Sequence, residues 1–174
     1  MLAPLLLLSG NLEEYQTLCK RLLAEESKFW THDQLKKLLA LCLLDPQPAN
    51  PETLLSLAQQ AAVRTPADHL LSVAHYRAGE PQQAIEGLMS ALKLSTQEEP
   101  IIEMHLAIAH YLAGHQEEAN VWLDKGRRRQ NSLVGPANRL AYEVLLQQAE
   151  QLIAASLPAT PHEQKVPASL KSPN

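Results

Sequence analysis

The sequence predicts an all-α protein built from stacked pairs of helices, and three observations predict it. Apolar residues make up 45% of the 174-residue chain and aromatics only 4%, with leucine and alanine dominating the apolar share. Those two are strong helix formers, whereas β-branched and aromatic residues favour strands. The chain also repeats itself: Ala74-His75-Tyr76-Arg77-Ala78-Gly79 recurs as Ala109-His110-Tyr111-Leu112-Ala113-Gly114, a shift of 35 residues. Finally, helix breakers stand at intervals that fit short connections: Asp45-Pro46-Gln47-Pro48, Thr65-Pro66, Glu99-Pro100 and Gly135-Pro136.

The helices expected from this pattern span 2–9 and 11–25, 31–43 and 51–62, 67–78 and 81–95, 100–113 and 116–130, with a last one at 137–154. The 35-residue shift also carries Leu71 onto Leu106, Ala84 onto Ala119, Leu88 onto Leu123 and Ala91 onto Gly126. These positions cover two consecutive helices, so the repeating unit is a helix hairpin. A fainter copy runs from Ser9-Gly10-Asn11 through Tyr15 to Leu18-Cys19 and Leu22. Gly79 and Gly114 are placed to end the first helix of a pair in the left-handed conformation. Ala84 and Ala119 are small enough for the second helix to approach the first closely. Leu88 and Leu123 lie one turn later on the same face and fill the core. The second pair, with its longer loop from Leu44 to Asn50, is the least regular.

From Ala155 the helical pattern fails. Prolines 158, 161, 167 and 173 mix with Ser, Thr, Lys and Gln, a composition that buries too little apolar surface to offset chain entropy. Residues 1–154 are therefore expected to form the repeat domain and 155–174 a disordered tail. Met1 to Leu8 is apolar but lacks a basic leader and runs straight into an amphipathic helix, which argues against a signal peptide. No stretch approaches a membrane span. Because the first residues already read as a helix in mid-pattern, the chain is expected to be a fragment of a longer protein or the product of a split gene.

A net charge of −4 argues against a general nucleic-acid binder, which needs a basic face to neutralise phosphates. The one dense basic run, Arg127-Arg128-Arg129, falls at a helix end, where cations offset the helix dipole. Glu13-Glu14, Glu98-Glu99 and Glu117-Glu118 sit near helix starts, where negative charge is favourable for the same reason. Cys19 and Cys42 stand beside leucines and read as small buried apolar groups in a reducing, cytoplasmic setting. The seven histidines lack the i, i+4 zinc spacing, since His105, His110 and His115 are five apart. His75 and His110 hold one repeat position and read as packing residues. A metal- or ligand-binding enzyme using these histidines is the least favoured alternative.

The repeated positions resemble the tetratricopeptide family, whose period is about 34 residues. The match is best over Pro66–Arg129, fair over Leu5–Leu23 and weak over Trp30–Ala62. The family's first large aromatic position holds Asp68 and Glu103 here, and its closing proline position holds Thr96 and Asn131. The resemblance implies a right-handed solenoid of antiparallel helix hairpins, about four pairs, with a C-terminal capping helix. Gly10-Asn11-Leu12-Glu13-Glu14-Tyr15 and Ala107-Ile108-Ala109-His110-Tyr111, with Trp122-Leu123-Asp124-Lys125, further resemble the repeat tails of planctomycete-type bacterial proteins. In those proteins a Ser/Thr kinase domain or a β-propeller precedes the repeats. That likeness implies a regulatory module of a signalling protein. It implies no kinase chemistry, because the Gly-rich loop and the His-Arg-Asp and Asp-Phe-Gly motifs are missing.

In such arrays the first helix of each pair lines a concave groove in which a protein or peptide partner lies. By the resemblance, the groove positions are His69, Val73, Tyr76 and Arg77 in one repeat, and Met104, Ile108, Tyr111 and Leu112 in the next. Asn138, Arg139 and Tyr142 on the last helix continue the surface. The lysine and asparagine that clamp a chaperone-tail carboxylate in some members are replaced by His69, Val73, Met104 and Ile108, so that use is rejected. The expected function is a protein-interaction scaffold with no enzyme activity and no cofactor. No Ser/His/Asp or Cys/His nucleophile set is recognisable.

Overall fold

A computed structural model describes residues 2–24, 30–47, 50–63, 69–95 and 99–155. The described residues form helices α1 (Leu2–Leu8), α2 (Leu12–Ala24), α3 (His32–Cys42), α4 (Pro51–Ala62), α5 (His69–Arg77), α6 (Pro81–Leu94), α7 (Pro100–Leu112), α8 (Gln116–Arg129) and α9 (Pro136–Ala154), with a short 3-10 turn at Gln130–Ser132. Among them there is no strand, so the all-α expectation holds. Every helix falls within two residues of its expected span. Asp68, Thr96 and the expected tail beyond Ala155 lie outside the described residues.

Three of the inter-helix turns are copies of one another. Gly10, Gly79 and Gly114 all have positive φ, at 77°, 86° and 81°. In each, the glycine N–H donates to the carbonyl three residues back: Leu7, Tyr76 and Tyr111 respectively. The next N–H reaches five residues back, from Asn11 to Leu6 (2.8 Å), Glu80 to His75 (2.9 Å) and His115 to His110 (2.9 Å). This paired bonding satisfies carbonyls that a helix end leaves open, and it needs a left-handed residue at its centre. Connections this short fold α1 on α2, α5 on α6 and α7 on α8 as hairpins.

The remaining pair, α3 and α4, turns differently. Thr31 and Gln34 close the start of α3 with a reciprocal capping box. At its end no glycine is present. The buried Asp45 carboxylate instead accepts from the Gln47 backbone N–H (2.8 Å) and from the Gln16 side chain of α2 (3.0 Å).

Small residues form the seam of each regular hairpin. Ala84 and Ala119 are both fully buried at matching positions five residues after their turn glycines, and Leu88 and Leu123 are buried one turn on. In the first hairpin the same seat holds Tyr15, also fully buried, and Cys19 takes the leucine seat. Tyr15 is too large for an alanine seat, so its hydroxyl reaches across to donate to the Leu41 carbonyl on α3. At Gly126 the approach of α8 to α7 is closest: a Cβ there would meet the Met104 Cε at 2.2 Å.

The core centres on α7. Every residue from Ile102 to Ala109 is buried, because α7 is covered by α6, α8 and α9. The last helix, α9, packs on the final pair, chiefly on α7 and less on α8, and also reaches α1 at the other end of the described chain. Its buried residues Tyr142, Leu145, Ala149 and Ile153 repeat at three- and four-residue spacing, with Val144 widening the stripe. One face of α9 therefore serves both ends of the molecule.

Candidate functional site

The expected groove residues divide three ways. Val73, Tyr76, Met104, Ile108 and Tyr142 are inside the protein, each at most 3% exposed. His69, Arg77 and Tyr111 are half-buried, whereas Asn138 and Arg139 are exposed at the start of α9. The five buried residues therefore do not form an open surface. The cause is that α9 covers α7, and that α5 is itself packed between α4 and α6.

Three of the ten residues do come together, in a polar seam that ties α5, α7, α9 and the end of α3. Its centre is His105 on α7, which is 4% exposed. The Tyr76 hydroxyl lies 2.7 Å from His105 Nδ1, and the His69 ring lies 6.0 Å from the His105 ring. Burial holds the His105 pKa well below the usual imidazole range, and the neighbouring His69 and Arg77 push it the same way. Burial raises the Tyr76 phenol, with Arg77 partly opposing. Both groups are therefore neutral near pH 7. Tyr76 donates to Nδ1 where the imidazole proton sits on Nε2, and accepts from Nδ1–H in the other tautomer.

Arg77 extends the seam. Its guanidinium lies 4.8 Å from the centre of the Tyr76 ring, a cation–π arrangement. Its Nε donates to the Leu43 carbonyl (3.2 Å) and its Nη2 to Gln148 Oε1 on α9 (2.8 Å). Gln148 Nε2 then donates to the Leu44 carbonyl at 2.6 Å, across 104 residues of chain. Together these bonds satisfy the two carbonyls left open where α3 ends without a glycine.

A second polar anchor holds α9 on α8. The Tyr142 hydroxyl donates to the Gly126 carbonyl (3.2 Å), and Arg127 pairs with Glu150 (2.7 Å) as well as Asp124 (3.4 Å). Arg129 pairs with the fully buried Glu103 at 2.6 Å. Two arginines of the basic run thus serve pairs within the chain. Glu103 is a buried carboxylate held by a guanidinium.

The histidines of the repeat position face their own turns. His75 Nδ1 lies 2.6 Å from Glu80 Oε2, and the His110 ring lies 5.5 Å from His115. Among the described residues no group of three or more His, Cys, Asp or Glu is placed to hold a metal ion. The His105–Tyr76 pair is buried between α5 and α7. What the seam can do is fix helices against one another.

Sequence reasoning missed two of its members. His105 was weighed only for its spacing, and Gln148 was not singled out. The burial of α7 had a visible signal: Ile101, Ile102, Met104, Leu106, Ala107, Ile108 and Ala109 leave it almost no polar face, and such a helix is buried on all sides. Among the described residues no helix is long and apolar enough to cross a membrane. Neither a scan of protein-family models nor searches of the curated proteins and of the solved structures returned a match.

Proposed function

We propose that this chain is a tetratricopeptide-type solenoid of helix hairpins that binds an amphipathic helix of a partner protein, and that α9 occupies the binding face in the free chain. The reading treats the protein as a scaffold rather than an enzyme. The observation that carries it is the seating of α9. A 19-residue helix already lies on α7 with its apolar stripe buried, and the polar groups of Tyr142, Gln148 and Glu150 anchor it. A face that holds one helix this way offers the chemistry to hold another: buried apolar seats and, at the rim, the Arg77 guanidinium with the Leu43 and Leu44 carbonyls. The three equivalent glycine turns and the matched Ala84 and Ala119 seats support the solenoid part of the reading.

The test uses a fluorescent peptide of residues 136–154 and the full chain. In the unmodified chain the tethered α9 competes at high effective concentration, so the peptide stays unbound. In the Leu145→Asp chain a charge replaces a fully buried side chain of α9, the helix is released, and the peptide binds in trans with a saturable rise in anisotropy. The milder Gln148→Ala chain gives a smaller rise. No binding to either variant, with helix content by circular dichroism retained, would contradict the proposal.

A further inference from the structure

The two cysteines lie together. Cys19 sits midway along α2 and Cys42 ends α3, and both line one narrow cavity with Gln16, Asp45 and Asn50. The two thiols and the Tyr15 side chain lie within interaction range of one another. Both thiols are free, with Cys19 7% and Cys42 1% exposed. The cavity has a volume of ≈ 10 Å³, room for about one water-sized molecule.

We propose that Cys19 and Cys42 form a redox-modification site, in which hydrogen peroxide oxidises the pair to a disulfide that ties α2 to α3.

The roles of the two sulfurs differ. The neighbouring Cys42 thiol favours the Cys19 thiolate and outweighs its desolvation, so its pKa is lowered. Cys42 is shifted upward by the same contact and by burial, and so keeps its proton. Cys19 is therefore the attacking sulfur. It takes one peroxide oxygen as the O–O bond breaks, forming a sulfenic acid; the hydroxide released gains the proton that Cys19 gave up and leaves as water. The Cys42 sulfur then attacks the Cys19 sulfur. The S–S bond forms, the S–O bond breaks, and the Cys42 proton leaves with that oxygen as a second water. Two thiols are oxidised by two electrons and one peroxide is reduced.

The experiment treats the folded full chain with hydrogen peroxide. Expected are loss of both titratable thiols, an intact mass lower by two hydrogens, and a Cys19–Cys42 linked peptide under non-reducing digestion, all reversed by dithiothreitol. In the Cys42→Ala chain a dimedone adduct forms on Cys19, while in the Cys19→Ala chain Cys42 stays unmodified. Retention of both thiols, disulfides only between separate chains, or dimedone labelling of Cys42 in preference to Cys19 would overturn the proposal. Equal oxidation of a urea-unfolded control would remove the cavity as its cause.

Discussion

Replacing Gln148 with alanine removes both bonds by which the last helix reaches the far side of the protein. The bond to the Leu44 carbonyl is between neutral groups, and a bond of that kind is worth about 0.5–1.5 kcal/mol. The bond from Arg77 involves a charge, and its class is worth about 1.5–3 kcal/mol. Arg77 is half-buried, so solvent screening brings its share to the low end of that range. Leu44 is buried, so its carbonyl is left without that donor in the variant. The sum is a loss of about 2–3 kcal/mol. For a domain of this size it lowers the melting temperature by about 4–12 °C. Thermal melting by circular dichroism measures the total, and hydrogen exchange locates it: protection falls in α9 and at Leu43–Leu44 first. The exposed neighbour Gln147→Ala is the control and changes stability by no more than about 0.5 kcal/mol. Equal melting of the two variants, with α9 exchange unchanged in both, would refute the reasoning that these bonds seat α9.

The remaining predictions concern pH, a turn and a seam. His105 has a depressed folded pKa, so the folded and unfolded chains are both neutral there above the ordinary value of about 6.5. As pH falls below it, the unfolded chain takes up a proton that the folded one refuses, and stability falls by up to about 1.4 kcal/mol per pH unit. His110 is depressed as well and adds to that slope. Urea melts across this range should show a steeper decline for the unmodified chain than for His105→Gln; parallel curves would contradict the assignment. At Gly114 no atom stands within 4 Å of an added Cβ, so Gly114→Ala is penalised only by its backbone, by about 1–2 kcal/mol, and Gly114→Asn by less. Equal stability of the alanine and glycine chains in chemical denaturation would argue against the left-handed turn. Ala119→Leu overfills a fully buried seat and costs about 1–3 kcal/mol, read from the same melts; a neutral result would mean that the α7–α8 seam is loose.

What could be read from the sequence was what is local. Helix spans follow from residues within a turn or two of each other, and the glycine turns announce themselves at Gly10, Gly79 and Gly114, where a side chain is disfavoured. Even the irregular first hairpin was legible as a faint repeat, although nothing local shows that Tyr15 replaces the small residue of its seat by reaching Leu41. The site was less legible because its burial is decided far along the chain. Tyr76 and Met104 stand at positions that the resemblance to tetratricopeptide repeats places along an open groove, and the path of α9 helps to enclose them. That path depends on Arg77, Gln148 and Leu44, whose contacts span 71 and 104 residues and leave no periodic trace. Glu103 shows the same limit: its departure from the family pattern was visible, but its partner Arg129 was not, because the pair joins two helices through a bond specific to this chain.

The central claim is that α9 folds back across α7 and meets the end of α3. Nuclear Overhauser contacts in the labelled full chain test it most directly. The Gln148 side-chain amide is predicted to show cross-peaks to Leu43 and Leu44 protons, which Gln148→Ala abolishes. Assigned spectra in which that amide contacts only its own helix and solvent would contradict the account.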